Sequence, residues 1–283
     1  MGERDERIAL TFWGVRGSTP CANSENMEYG GNTTCIQLRI PKSDEVVVLD
    51  SGTGIRNLGN KLVKHSGNIS GRIFITHPHW DHIQGFPFFK PIYDSDNDFT
   101  IHMPKQGDMG CKEILSGHLT KTFFPVTLEM IDANLEYITQ LSAPEEYDGY
   151  TVEFMKAKHT VDTAAYKIHV DGSTIVFCPD NELKEGTSFF NEFKLFCQDA
   201  DVLIHDGQYN RQMYKNRHGW GHSAWEIVAD FARKAGVRNL FITHHDPDST
   251  DYELATLDKK LHSQFGRDFE SIQLAKEGAK ILI

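Results

Sequence analysis

The sequence predicts an α/β layered domain in which helices cover sheets. Short apolar β runs recur along the whole chain, and in its second half they alternate with helical patterns whose apolar residues fall three to four apart. A third observation concerns function. His77, His159, Asp180, Asp206 and His244 each follow directly on a β run, at strand ends where loops converge and sites are commonly built.

Taken in order, residues 8–13, 35–40 and 46–50 read as β runs separated by turns rich in Gly, Asn and Ser. A helix is predicted over 55–65, after the Gly-containing turn that follows Asp50. Residues 73–76 make a short buried strand that ends abruptly in histidines and an aspartate. Further strands are expected near 151–156, 165–170, 174–178, 202–205 and 240–243, with helices over 187–198, 224–235 and 251–265. No repeat, low-complexity tract or linker divides the chain, and the polar cluster 94–98 is too short to separate domains. One domain over residues 1–283 is expected, near the ~250–300 residues at which single cores stop growing.

Composition narrows the class. Hydrophobic residues at 39% and charged residues at 24% are those of an ordinary globular protein. No stretch approaches the ~20 apolar residues of a membrane helix, and residues 1–6 carry no signal-peptide core, so no membrane association and a cytoplasmic location are expected. Five scattered cysteines without a CxxC pair read as reduced thiols. The net charge of −11 argues against gripping a long polyanion and makes a stable nucleic-acid partner improbable.

The strongest chemical signal is Thr76-His77-Pro78-His79-Trp80-Asp81-His82, where a strand turns into a helical segment. Four donors within six residues can wrap one or two ions, and imidazole with carboxylate suits zinc, iron or manganese better than calcium or magnesium. Downstream, each candidate has a plainer reading beside it. His159 could be a surface or core histidine, and Asp180 in Pro179-Asp180-Asn181 could be a turn residue. Both His244 and its neighbour His245 could end the series; His244 is preferred because it follows the strand directly.

With these residues the sequence resembles the metallo-β-lactamase superfamily, whose members carry HxHxDH followed by a lone His, a bridging Asp and a final His. The resemblance implies a four-layer αββα sandwich holding two divalent cations, zinc first and manganese second. His77, His79 and His159 would hold one ion, Asp81, His82 and His244 the other, with Asp180 bridging.

Two further segments resemble the tRNase Z-like phosphodiesterase branch: residues 200–207, and 221–226 opening a helix. There an acid and a histidine pair beside the metals, and Asp206 and His222 are the matching positions, with Asp where the nucleases commonly have Glu. A carboxylate that keeps an imidazole protonated can neutralise phosphate charge or give a proton to a leaving oxygen. Ser223 and Glu226 also fit a helix capping box. Segments 13–20, 30–35 and 49–55 look like the subgroup of anti-Pycsar-type cyclic-nucleotide phosphodiesterases, and Gly30 to Thr33 could cradle phosphate or simply turn. One departure matters. The tRNase Z enzymes carry a long arm for tRNA between the lone His and the bridging Asp, whereas His159 and Asp180 are 21 residues apart.

The expectation is a dinuclear metal-dependent phosphodiesterase acting on a small phosphodiester, a cyclic nucleotide first, through a metal-bridging hydroxide that Asp81 orients and Asp206 with His222 assists. A homodimer is the assembly suggested by the resemblance. The alternatives are a tRNase Z-like endoribonuclease, a thioester or lactam hydrolase on the same fold, and a metal-binding sensor without turnover.

Overall fold

The computed structural model describes residues 7–64, 67–139 and 143–283. In chain order its strands and α-helices begin with β1 (Ala9–Gly14), β2 (Cys35–Arg39), β3 (Val46–Leu49), α1 (Ile55–Leu62), β4 (Ser70–Phe74), α2 (Trp80–Ile83), β5 (Asp98–His102), α3 (Cys111–His118) and β6 (Asn134–Ile138). They continue with β7 (Glu145–Tyr147), β8 (Tyr150–Lys156), β9 (Ala164–Val170), β10 (Ser173–Cys178), α4 (Ser188–Phe196), β11 (Val202–Asp206), α5 (Arg211–Tyr214), α6 (Trp225–Lys234), β12 (Asn239–Thr243), α7 (Asp251–Phe265), β13 (Ser271–Leu274) and β14 (Lys280–Leu282).

Among the described residues these form two seven-stranded sheets, β14-β1-β2-β3-β4-β5-β6 and β13-β12-β11-β10-β9-β8-β7. Their inner faces pack on each other through Leu10, Phe12, Leu38, Leu49 and Phe74 from the first sheet and Val152, Ile168, Phe177, Ile204 and Phe241 from the second. The outer face of the first sheet is covered by α1 and α3, through Ile55, Leu58 and Leu115. The outer face of the second is covered by α4, α6 and α7, through Phe193, Phe231 and Leu261. Helix, sheet, sheet, helix is the expected αββα order. Strands β3, β11 and β12 are buried at almost every position, as expected of strands covered on both faces.

The strands absent from the sequence reading are β5, β6, β7, β13 and β14, and four of these are the outermost strands of the two sheets. Edge positions need no continuous apolar run, so segments such as Glu145-Glu146-Tyr147 give no apolar signal. The helix expected over 55–65 ends at Leu62, and residue 65 lies outside the described residues. The capping box expected at Ser223 and Glu226 does not form. Helix α6 starts at Trp225 with Ala224 as its N-cap, while the Ser223 hydroxyl donates to the Asn181 carbonyl at 2.6 Å and Glu226 accepts from Arg211 N–H. Ser223 is thus held by a long-range contact that local spacing could not reveal. No helix among the described residues is long and apolar enough to cross a membrane. The five cysteines are free.

The pairing directions place the site. Strands β3 and β4 run parallel, as do β10, β11 and β12, and β8 shares their direction because β9 is antiparallel to both β8 and β10. The residues that follow these strands therefore gather at strand ends with a common direction in each sheet.

Candidate metal centre

The turn after β4 is built around Asp50, which follows β3 with φ +59°. Its buried carboxylate accepts from Thr76 N–H at 2.7 Å and from the Thr76 hydroxyl, and it lies 2.8 Å from His82 Nδ1. With Nδ1 committed to Asp50, Nε2 of His82 faces inward, 3.3 Å from both Asp81 Oδ2 and Asp180 Oδ1. Helix α2 is one turn long, so His79, at its N-cap, and Asp81 and His82 within it are presented together.

His77, His79, His159 and Asp180 offer ligand atoms within 4.8 Å of one another, and so do Asp81, His82 and His244. His79 Nδ1 sits 2.9 Å from His77 Nε2 and 3.1 Å from His159 Nε2. Asp180 lies between the two sets. Its Oδ2 is 3.5 Å from His159 Nε2 and 3.7 Å from His77 Nε2, while its Oδ1 is 3.1 Å from His244 Nε2 and 3.3 Å from His82 Nε2. Each oxygen thus addresses a different group of imidazoles.

Three devices fix the flanks. The Nδ1 of His159 donates to the Gly221 carbonyl at 2.9 Å, turning its Nε2 toward the cluster. Gly221 is needed there, because it has φ +83° and an added Cβ would lie 2.2 Å from that same Nδ1. Asp81 Oδ2 accepts from the Ser18 backbone N–H at 2.7 Å and lies 3.0 Å from His244 Nε2.

Of the two histidines left open after β12, His244 enters the cluster. His245 instead donates from Nε2 to the Ala275 carbonyl at 2.8 Å, away from it. The left-handed backbone of His244, φ +57°, makes this division, since it turns successive side chains to different surroundings.

His222 and Asp206 come together at the cluster's side. His222 Nδ1 is 3.3 Å from Asp206 Oδ2 and 3.9 Å from Asp180 Oδ2, and its ring stacks on that of His244 with centroids 4.9 Å apart. Asp206 Oδ2 also accepts from Ser223 N–H, and Oδ1 lies 3.0 Å from His205 Nδ1. Burial opposes a charge on His222, but the carboxylates of Asp206 and Asp180 beside it prevail, and its pKa is raised.

The donor set fits divalent metal ions. Burial holds His77, His79 and His159 below the ordinary imidazole range and so favours the neutral rings that ligate metals. Burial disfavours ionised Asp180, yet the imidazoles of His244 and His82 outweigh it and keep the carboxyl well below its usual range. His82 Nε2 and Asp180 Oδ1 are buried with no hydrogen-bond partner, as atoms intended for a cation would be. Imidazole with carboxylate suits zinc, iron and manganese alike.

Sequence reasoning passed over Asp50 as a site residue, and also Ser18, Glu182 and Gly221. Asp50 lies in the turn segment 49–55, so its place after a β run was the available signal; Ser18 and Gly221 act through backbone groups, and the Glu182 carboxylate fastens the loop that carries Gly221. Of the two roles open to Gly30 to Thr33, the phosphate cradle is filled by the protein itself. Asn32 donates from N and Nδ2 to the Glu277 carboxylate, and Thr33 N–H donates to Thr53.

A sandwich of two sheets between helices, with a His/Asp cluster at its strand ends, defines the class: a metal-dependent hydrolase. Residues 46–245 match the profile of the beta-lactamase superfamily domain, and the chain belongs to that superfamily. It is similar to ribonuclease BN of Proteus mirabilis (strain HI4320), 24% identical across 94% of this chain and 100% of that protein. It is likewise similar to ribonuclease Z of Acaryochloris marina (strain MBIC 11017), 22% identical across 95% and 98%. Among solved structures, the metallo-beta-lactamase fold protein YhfI from Bacillus subtilis has TM-score 0.71 at 18% identity, covering 99% of this chain and 100% of that one. A diphosphatase from the PhnP family has 0.69 at 15% (98% and 97%), and the short form of human tRNase Z 0.65 at 18% (96% and 98%). The relatives named ribonuclease BN and ribonuclease Z support the tRNase Z-like branch of the superfamily.

Proposed function

We propose that the chain is a phosphodiesterase for a small phosphodiester, a cyclic nucleotide first. The observation that carries this is Asp180, whose two oxygens address two separate groups of imidazoles and so provide a seat for a pair of cations. His77, His79 and His159 would hold one ion and Asp81, His82 and His244 the other, with zinc the first choice of metal. Two such ions, when bound, supply Lewis acidity and lower the pKa of water toward neutrality, which suits an anionic phosphodiester.

The chain's own residues do the rest. Ser18 N–H holds the Asp81 carboxylate in place, so that Asp81 can orient the attacking water. Asp206 keeps the proton on His222, which neutralises phosphate charge or protonates the leaving oxygen. One domain, a cytoplasmic location and a homodimer go with this reading; light scattering tests the last.

A specific observation favours compact substrates. The segment between His159 and Asp180 is a hairpin, β9 and β10 joined by Asp171 and Gly172, both at positive φ, which leaves no residues for a protruding arm. The net charge of −11 points the same way. The second reading, a tRNase Z-like endoribonuclease, is supported by relatives named ribonuclease BN and Z that align along almost the whole chain.

A metal-replete screen separates the two. Bis(p-nitrophenyl) phosphate, cyclic mononucleotides, cyclic dinucleotides, a thioester, a β-lactam and precursor tRNA are assayed together. Turnover of cyclic nucleotides well above that of precursor tRNA is expected; the reverse ranking makes the chain a ribonuclease, and failure on every phosphodiester ends both readings.

A further inference from the structure

Two tryptophans stand exposed at the mouth of the metal centre. Trp80 and Trp220 are 74% and 59% exposed, yet both line the same cavity of about 450 Å³ as His79, Asp81, His159 and Asp180. A cavity of that size lies in the ~300–1,000 Å³ range of small-molecule sites. The other two tryptophans are spent on packing: Trp225 is buried and Trp13 half-buried.

Trp220 is held out deliberately by its loop. The Glu182 carboxylate accepts from Gly219 N–H at 2.8 Å, from Gly221 N–H at 3.1 Å and from the Tyr214 hydroxyl at 3.0 Å. The Arg217 guanidinium lies over the rings of both Tyr209 and Trp220, 4.7 and 5.7 Å from their centroids. A loop fastened at both sides of Trp220 pre-organises its ring and reduces the entropy lost on binding. Trp80 opens α2, beside His79 and Asp81, so its backbone is held by the same turn that presents those two side chains.

Exposed indoles beside a site for anionic phosphorus suit a ligand with a flat π-face joined to a phosphate. We propose that Trp80 and Trp220 form a stacking subsite for the nucleobase of the substrate, whether on a free nucleotide or at an RNA terminus. This rests on the phosphodiesterase reading and adds to it the part of the substrate that is recognised away from phosphorus. Glu182 is a positioning residue for the subsite.

The test measures binding. Metal-replete full-length protein is titrated by calorimetry with adenosine 5′-monophosphate and with ribose 5-phosphate, and tryptophan fluorescence is followed in parallel. Stacking makes the nucleotide bind about tenfold more tightly than the sugar phosphate and quenches the fluorescence. In a Trp80→Ala/Trp220→Ala double variant the two ligands should bind within about twofold of each other, with the sugar phosphate unchanged, while the Trp80→Phe/Trp220→Phe variant keeps most of the preference. A preference that survives the double alanine change, or is absent from the wild type, overturns the subsite. A triadenylate run alongside identifies the source, since affinity that grows with the added nucleotides points to an RNA end. Bis(p-nitrophenyl) phosphate hydrolysis by the same wild-type sample is scored separately. Base preference without hydrolysis would remove the enzymatic reading alone, and hydrolysis without base preference the subsite alone.

Discussion

Asp50 Oδ2 lies 2.8 Å from Nδ1 of His82, and both side chains are completely buried. This contact joins the end of β3 to the turn after β4, and it decides which nitrogen of His82 faces the cluster. Removing the carboxylate strands the His82 N–H and two donors of Thr76 in an apolar interior. The Asp50→Ala variant should therefore lose metal affinity by about 10–100-fold, the usual cost of an outer partner of a ligating histidine, and melt at a lower temperature. Asp50→Asn should fall between. Competition with a chromophoric chelator measures the first effect; unaltered affinity in the alanine variant would show that His82 needs no such partner.

Asp180→Ala removes the one group common to both donor sets, so metal content and hydrolysis should fall further than in Asp50→Ala. His222→Ala is different in kind. It should keep both ions while slowing turnover by roughly 10²-fold, the scale of a lost acid or base. Metal analysis beside kinetics on one preparation distinguishes them, and full activity in Asp180→Ala would refute the shared-carboxylate arrangement.

Gly221 and Gly219 form a matched pair. Both have φ near +83°, but a Cβ on Gly219 meets no atom within 4 Å, whereas on Gly221 it meets His159 Nδ1 at 2.2 Å. Gly219→Ala should cost only backbone strain, about 1–2 kcal/mol. Gly221→Ala should cost more and also lower metal affinity, because the ring of His159 has to move. Equal metal affinity in the two variants would remove the positioning role of the Gly221 carbonyl.

His102 gives a pH prediction away from the site. It is buried against Phe74, ring centroids 4.4 Å apart, and neither ring nitrogen has a hydrogen-bond partner. Burial, with Arg72 nearby, pushes its pKa down from 6.5 to about 4. Between those values the unfolded chain binds the proton and the folded chain does not, so this residue's contribution is intact above pH 6.5 and is lost as the pH falls toward 4. The loss amounts to about 3 kcal/mol. Denaturant melts of wild type and His102→Phe from pH 7 to 4 should show the smaller decline in the variant; parallel curves would mean that the ring is protonated without penalty.

The chemistry of the candidate site was legible because its donors are rare residue types placed where apolar runs stop. His77, His79, Asp81 and His82 lie within one turn of chain, His159, Asp180 and His244 each sit after a strand whose period is visible, and Asp206 ends one. Most central strands, covered on both faces, announce themselves as apolar runs; β5 does not, because Asp98, Thr100 and His102 interrupt its apolar residues, and the edge strands β6, β7, β13 and β14 do not, because one flank needs no burial.

From the sequence alone came the layered α/β class, the kinds of ligand and their positions along the chain, all of which are local matters of period and residue type. Tertiary structure alone decided that His244 turns inward while His245 serves Ala275, that Asp50 rather than a nearer acid orients His82, and that Glu277 fills the glycine-rich turn. Those outcomes depend on which distant backbone arrives at a given point, and a short-range pattern carries no record of the groups that packing will set beside it.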